Sequence, residues 1–414
     1  MARITTRQTL IVSLVIIAII LGGLSIQVFS SPTEKGQTTT TSRSTNTSVS
    51  ESIPSNTLTT TYYSTESQSS STSSSSTEKL LNVTDTIPYP FAQDMLVNEA
   101  YFPDTNEIWI YDYQSSSLYF VNATTNKFLS QNVSLSSCNA PIQMGYDNAS
   151  HDMLVEAGCP FRIVAFNANG NNVSTIVLSH SIFSEVFLQY DPSNNEMYVS
   201  FLGANYFLGL NSTNQIVSNV TLSESGGELG DMAYNPSNQY LYVTDYNSSS
   251  VYVYASNDSL IASLNHVALG PFDLIYDPAN SLVYFDSVGG GLWGINGTQV
   301  MAFLNINVYL GEGLAFDPAN SDLYVESSNN TGVAVVNSQN VIETVVPIPV
   351  ELNGVYDPAH AWMMYQFEGN ITLIGSNNQV YGTIVVGSFL PGFGAYDPTN
   401  GLMYFLSDNE VIIV

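Results

Sequence analysis

From residue 81 to the last residue given, short runs of Tyr, Val, Leu, Ile and Phe alternate with clusters of Asn, Asp, Ser, Gly and Pro. Runs this short, rich in β-branched and aromatic residues and bounded by turn formers, predict strands. The runs also repeat. The segment Tyr190-Asp191-Pro192-Ser193-Asn194-Asn195-Glu196-Met197-Tyr198-Val199 recurs with small changes from Tyr234, Tyr276, Phe316, Tyr356 and Tyr396, and in degenerate form from Tyr101 and Tyr146. Successive steps are 45, 44, 44, 42, 40, 40 and 40 residues. A period of this size means one supersecondary unit per repeat, stacked on its neighbours.

Each unit has a physical reading. In Asp-Pro-x-Asn the Asp accepts hydrogen bonds from the following backbone, Pro presets φ, and Asn at the fourth position tolerates a left-handed conformation. Asp191, Asp277, Asp317, Asp357 and Asp397 fill the first position, and Asn235 replaces Asp in one copy; all read as turn formers. Eight residues after the leading aromatic stands Tyr198, Tyr242, Tyr284, Tyr324 or Tyr404, with Trp109, Leu154 and Met364 in the weaker copies. These are expected to pack between sheets. Third and fourth strands follow, such as Val251-Tyr252-Val253-Tyr254 and the run from Ile342 to Val346. Four short antiparallel strands per repeat make the blade of a β-propeller.

The run Tyr242-Val243-Thr244-Asp245, after Tyr234-Asn235-Pro236, resembles the signature of the YVTN β-propeller repeats of archaeal surface-layer proteins, which usually read Tyr-Val-Thr-Asn. The resemblance covers residues 81–414, is good in six repeats and weak in the first two. It implies a cell-surface propeller, commonly of seven blades, so eight copies are a departure. The chain ends favour eight. The last repeat stops after its third strand, Glu410 to Val414, while Leu80 to Ile87 offers an unpaired strand ahead of the first repeat. Joining them in one blade closes the ring and hides both edges. The expected fold is therefore all-β, an eight-bladed propeller over residues 80–414, with seven blades and an added flap as the alternative.

The pattern before residue 80 is different. Arg3 and Arg7 precede an apolar run from Leu10 to Leu24 that continues weakly to Phe29. About 20 such residues span a ~30 Å hydrocarbon core, and the flanking arginines direct the rest of the chain outside. Residues 1–30 are thus expected to form a cytoplasmic tip and a signal-anchor helix; cleavage after Ser30 is the alternative and would release the propeller. Residues 31–79 are dominated by Ser and Thr and predict a disordered stalk whose hydroxyls suit O-glycosylation, or a plain disordered linker.

Charge narrows the function. Of 35 carboxylates 31 lie beyond residue 80, with only Lys127 and Arg162 to balance them. Nucleic acid is excluded as a partner, because phosphate binding requires Lys or Arg, and Arg clamps for anionic substrates are missing too. Charged residues make up 10% of the chain where about 25% is usual. Asn, Ser, Thr and Tyr fill the gap. An acidic habitat would explain this, since carboxylates are neutral there; loss of solubility and folding at about pH 3 with retention at about pH 7 would refute it.

Candidate chemistry is sparse. Cys138 and Cys159 fall in loops on one propeller face, and an outside location favours their disulfide over two free thiols. Sequons occur at Asn82, Asn122, Asn132, Asn148, Asn172, Asn211, Asn219, Asn247, Asn257, Asn296, Asn329 and Asn370; many matches arise by chance in so Asn-rich a chain. The first strand of each blade lines the channel, and three residues before the leading aromatic stand Asn98, Gln143, Asp231, Asp273 and Asn353, with Glu312 nearby. This ring of amides and carboxylates is expected either to bind a sugar or Ca²⁺, or simply to meet water. No cofactor is otherwise predicted. His151, His180, His266 and His360 are scattered and show no zinc spacing, and no strained nucleophile motif appears. The leading expectation is a non-enzymatic surface module that binds glycans or protein partners. A lactonase-like or quinoprotein dehydrogenase-like enzyme and a purely structural envelope component are the alternatives.

Overall fold

In a computed structural model the structure describes residues 79–414 apart from 82, 91–95, 113–114, 136–142, 158–161, 179–185, 223–227, 307–312, 327–331, 350–353, 368, 387–393 and 408–409. The expected anchor helix and all of the expected stalk but Lys79 lie outside these residues. Among the described residues no helix is long and apolar enough to cross a membrane.

The strands form eight separate sheets, seven of four strands and one of five. We number the blades by their first strands: Leu96–Phe102, Met144–Asp147, Val186–Asp191, Leu229–Asn235, Pro271–Asp277, Leu314–Asp317, Val355–Asp357 and Ala395–Asp397. Blade 4 is typical: Leu229–Asn235, Tyr240–Asp245, Ser250–Ala255 and Leu260–Leu264 run as an antiparallel meander. The eight-bladed expectation holds.

Closure differs in one respect from the single joining strand expected over Leu80 to Ile87. The segment is split. Asp85–Pro88 pairs antiparallel with Glu410–Ile413 and completes blade 8, with Ile87 opposite Val411. Lys79–Leu81 instead pairs in parallel with the outer strand of blade 7, Lys79 opposite Gly382 and Leu81 opposite Ile384. Lys79, expected as the last residue of the stalk, therefore begins a strand.

The core lies between blades. Eight apolar clusters fill the eight gaps, one per pair of neighbouring blades. The gap that closes the ring holds Ile108 and Val121 of blade 1 against Tyr404, Val411 and Ile413 of blade 8, with Ile87. Each blade is apolar on both faces because each is sandwiched.

The repeat motif builds these gaps. The first-position Asp or Asn is buried and accepts the N–H two residues on, as in Asp277 Oδ1 to Ala279 at 2.7 Å, Asn235 Oδ1 to Ser237 at 2.9 Å and Asp397 Oδ1 to Thr399 at 2.8 Å. These are the anticipated turn formers. The left-handed residue, however, is the fifth of the turn rather than the fourth: Asn195, Gln239, Ser281, Ser321 and Ala361 have φ of 58°, 61°, 63°, 65° and 55°. The fourth-position Asn is occupied otherwise. Asn194 Oδ1 accepts the N–H of Glu196 while its Nδ2 donates to Tyr198 Oη at 2.9 Å. Asn238, Asn280, Asn320 and Asn400 hold Tyr242, Tyr284, Tyr324 and Tyr404 in the same way. The Tyr ring packs in the gap, as anticipated, and its hydroxyl reaches the next blade. Tyr198 donates to Asp258 at 2.7 Å and Tyr404 to Asn126 at 2.8 Å; Tyr284 and Tyr324 donate to Asn340 and Asn378. All four acceptors are left-handed residues of third-to-fourth-strand hairpins. One motif thus shapes a turn, fills a gap and fastens the neighbouring blade.

Candidate functional site

The first strand of a blade is paired on one edge only, so its backbone groups on the other edge need partners or water. The predicted channel carboxylates supply them. Asp231 Oδ2 accepts the N–H of Leu274, in the first strand of blade 5, at 2.9 Å, and its Oδ1 accepts from Met232 at 2.7 Å. One blade further, Asp273 Oδ2 accepts the N–H of Gly313 in the segment leading into blade 6 at 3.1 Å. Each carboxylate reaches from its own blade to the next. Gly313 has φ of 97°, and an added Cβ would strike the carboxyl of Glu326, so this close approach requires glycine.

A related contact, reaching back rather than forward, joins blades 1 and 8 at a residue that sequence reasoning passed over. Glu99, next to the predicted Asn98, is 6% exposed. Its Oε1 accepts the N–H of Gly394, which leads into blade 8, at 2.6 Å. Burial pushes its carboxyl up to about 7, with the hydrogen bonds from the Gly394 and Glu99 N–H groups acting against the rise. Asn98 itself is buried and lies with Gln143, Tyr111, Met144 and Val155 around a narrow crevice between blades 1 and 2. The structure therefore places Asn98 beside Gln143 and puts Asp231 and Asp273 in successive blades. Asn353 and Glu312 lie outside the described residues.

A second polar layer stands behind this one, at the fifth residue of the second strands. Glu156, Ser200, Thr244, Asp286, Glu326 and Gln366 are all buried there. Ser200 Oγ donates to the carbonyl of Gly230 at 3.2 Å, and Thr244 Oγ1 to that of Phe272 at 2.8 Å, in both cases crossing to the next blade. Asp286 Oδ1 accepts the N–H of Asp273. The Thr244 and Asp245 of the signature run are therefore framework residues: Asp245 Oδ1 accepts from Glu228 and Ser248. The signal was a polar residue two places after the packing Tyr, inside an otherwise apolar run.

Among the described residues no group of three or more His, Cys, Asp and Glu side chains is gathered to hold a metal ion. His360 Nδ1 lies 2.7 Å from Asp357 Oδ2, stacked on Trp362, and His151 Nδ1 lies 2.7 Å from Tyr146 Oη. His266 occupies a left-handed turn position. His180, Cys138, Cys159, Asn82 and Asn329 fall outside the described residues.

The sequons divide by position. Asn132, Asn148, Asn172, Asn219, Asn247, Asn257 and Asn296 are exposed, and Asn122, Asn211 and Asn370 are half-buried. Asn122 and Asn211 open third-to-fourth-strand hairpins and Asn257 sits within one; in each case Oδ1 accepts a backbone N–H group. Asn167 and Asn337 do the same without belonging to a sequon. Turn chemistry alone accounts for Asn at those places.

No protein-family pattern matches the chain, and no curated protein matches its sequence. Solved structures do. The C-terminal WD40 domain of Sif2 matches with a TM-score of 0.62 at 12% identity over 81% of this chain and 98% of that one. A virginiamycin B lyase from Staphylococcus aureus matches with a TM-score of 0.54 at 11% identity, over 80% and 98%, and a streptogramin B lyase with 0.53 at 9%, over 80% and 96%. Similarity at this identity establishes a shared β-propeller fold and nothing finer.

Proposed function

We propose that this propeller is a non-enzymatic binding module, held outside the cell membrane by its N-terminal segment, and that its ligand is a glycan or an envelope protein. The observation that carries the reading is how the inner polar groups are used. Asp231, Asp273 and Glu99 accept backbone N–H groups at the junction with another blade, and Ser200 and Thr244 donate to backbone carbonyls of the following blade. Such groups are framework. The rest of the exterior is rich in amides, hydroxyls and Tyr and nearly free of cations, a surface suited to hydrogen-bonding sugars or neutral protein faces. A Cys138–Cys159 disulfide would brace one face, and Ca²⁺ is the cation whose oxygen preference fits amides and carboxylates.

The test is a glycan array probed with the full chain, beside thermal shifts with and without Ca²⁺. Binding of a defined sugar class supports the reading; no sugar or envelope-protein binding together with turnover of a lactone or an amine overturns it. The fold likeness to two lyases favours keeping the enzyme arm in that test. Biotinylation of intact cells, with the chain labelled only from outside, tests the location.

A further inference from the structure

Seventeen large apolar side chains are exposed among the described residues, and fifteen of them belong to the fourth, outermost strands of blades 1 to 7. These strands are also depleted of charge. From blade 2 to blade 7 they contain one carboxylate, Glu343, and no Lys or Arg, in a chain of net charge −28. An outer strand with a free edge and an apolar surface is a template for pairing with another chain.

The molecule shows that such an edge takes a strand. In blade 7 a bulge skips Tyr381, and the three residues that follow it, Gly382, Thr383 and Ile384, pair with the chain's own Lys79–Leu81. The equivalent stretch of blade 5 is Ala302–Leu304, following the bulged Met301, and in the described structure no strand pairs with its outer edge. Other edges are guarded. Blade 8 ends in Asp85–Pro88 and blade 1 carries Lys127; blades 2 and 3 carry the sequons Asn172 and Asn219, and blade 6 carries Glu343. Blade 4 offers only Ala262, Ser263 and Leu264. In blade 5, Val300, Met301 and Phe303 are 42%, 58% and 44% exposed, and the sequon Asn296 lies before the paired stretch rather than in it.

We propose that the outer strand of blade 5, Gln299–Leu304, pairs edge to edge with the same strand of a second copy of this chain. Two like-charged copies repel wherever carboxylates face each other, and this rim is where they meet without doing so. An antiparallel contact about a two-fold axis near Ala302 uses one patch twice, with Val300, Met301 and Phe303 of each copy covering the new ladder. Because the remaining surface repels, the dimer tightens with added salt and at lower pH.

The experiment is sedimentation equilibrium of the full chain in density-matched detergent, with hydrogen exchange on Gln299–Leu304 at low and high protein concentration. The expected result is a concentration-dependent doubling of mass, slowed exchange in this strand at high concentration, and a Kd raised tenfold or more in Met301→Lys/Phe303→Lys at unchanged melting temperature. Should the double variant not fold, Met301→Lys alone, at an exposed bulge, carries the same test. A chain that stays monomeric at its solubility limit, a dimer that persists in both variants, or protection that appears only on adding vesicles would overturn the proposal.

Discussion

Glu99 makes the pH dependence of stability a direct test of how the ring is closed. Its carboxyl sits between blades 1 and 8, with Oε1 on the Gly394 N–H and Oε2 buried without a hydrogen-bond partner. Ionisation there must place a charge in a site stripped of water, so the group is held at about 7 against an ordinary 4.5. A raised carboxylate favours the folded state when protonated. Its contribution is therefore complete below the unfolded value, near 4.5, and is lost as pH rises through 7. The difference between the two limits is about 3 kcal/mol. Glu107, Asp147, Asp152, Glu196, Glu228, Asp277, Asp317 and Asp322 are all raised by burial as well, and they tilt stability the same way. Urea unfolding of the full chain at about pH 4.5 and pH 8 measures the total, and Glu99→Gln isolates the local part. Gln keeps an acceptor for Gly394 and never ionises. The variant should match the parent within about 1 kcal/mol at the acid end and exceed its stability by roughly 2 to 3 kcal/mol at the alkaline end. Stability that climbs from the acid to the alkaline end, or a variant weaker than the parent at about pH 8, would refute the reasoning. The sign agrees with an acidic habitat.

Other perturbations probe the repeat. Tyr284→Phe leaves Asn280 Nδ2 and Asn340 Oδ1 short of the hydroxyl that joins them, and should cost about 1 to 3 kcal/mol in denaturant unfolding. Gly313→Ala forces a Cβ onto the Glu326 carboxyl at a φ of 97°, a loss of about 2 kcal/mol or more visible as a lowered melting temperature. Removing residues 79–88 strips the strand that pairs with Glu410–Ile413 and opens Val411 and Ile413 to solvent. The truncated chain should aggregate or unfold at markedly lower urea, as read by light scattering and circular dichroism.

The period of 40 to 45 residues, the Asp-Pro-x-Asn turns and the buried Tyr were legible along the chain because turn geometry and apolar alternation act over a few residues. Closure was legible too, since a last repeat one strand short requires a strand from the other end. What the chain alone left undecided lies at junctions between blades. Nothing local separates Lys79–Leu81, which goes to blade 7, from Asp85–Pro88, which goes to blade 8. Asn194 looked like a left-handed turn residue, yet it holds the hydroxyl of Tyr198 and passes the left-handed place to Asn195. Asp231 and Asp273 looked free to meet a ligand, yet each accepts a backbone N–H at the next blade. Ser200 and Thr244 stand out along the chain only as polar residues inside apolar runs, which does not say that they reach the neighbouring backbone. A strand's own sequence sets its alternation and its turns, whereas the partner of a side chain at a blade junction exists only once the next blade has been packed against it.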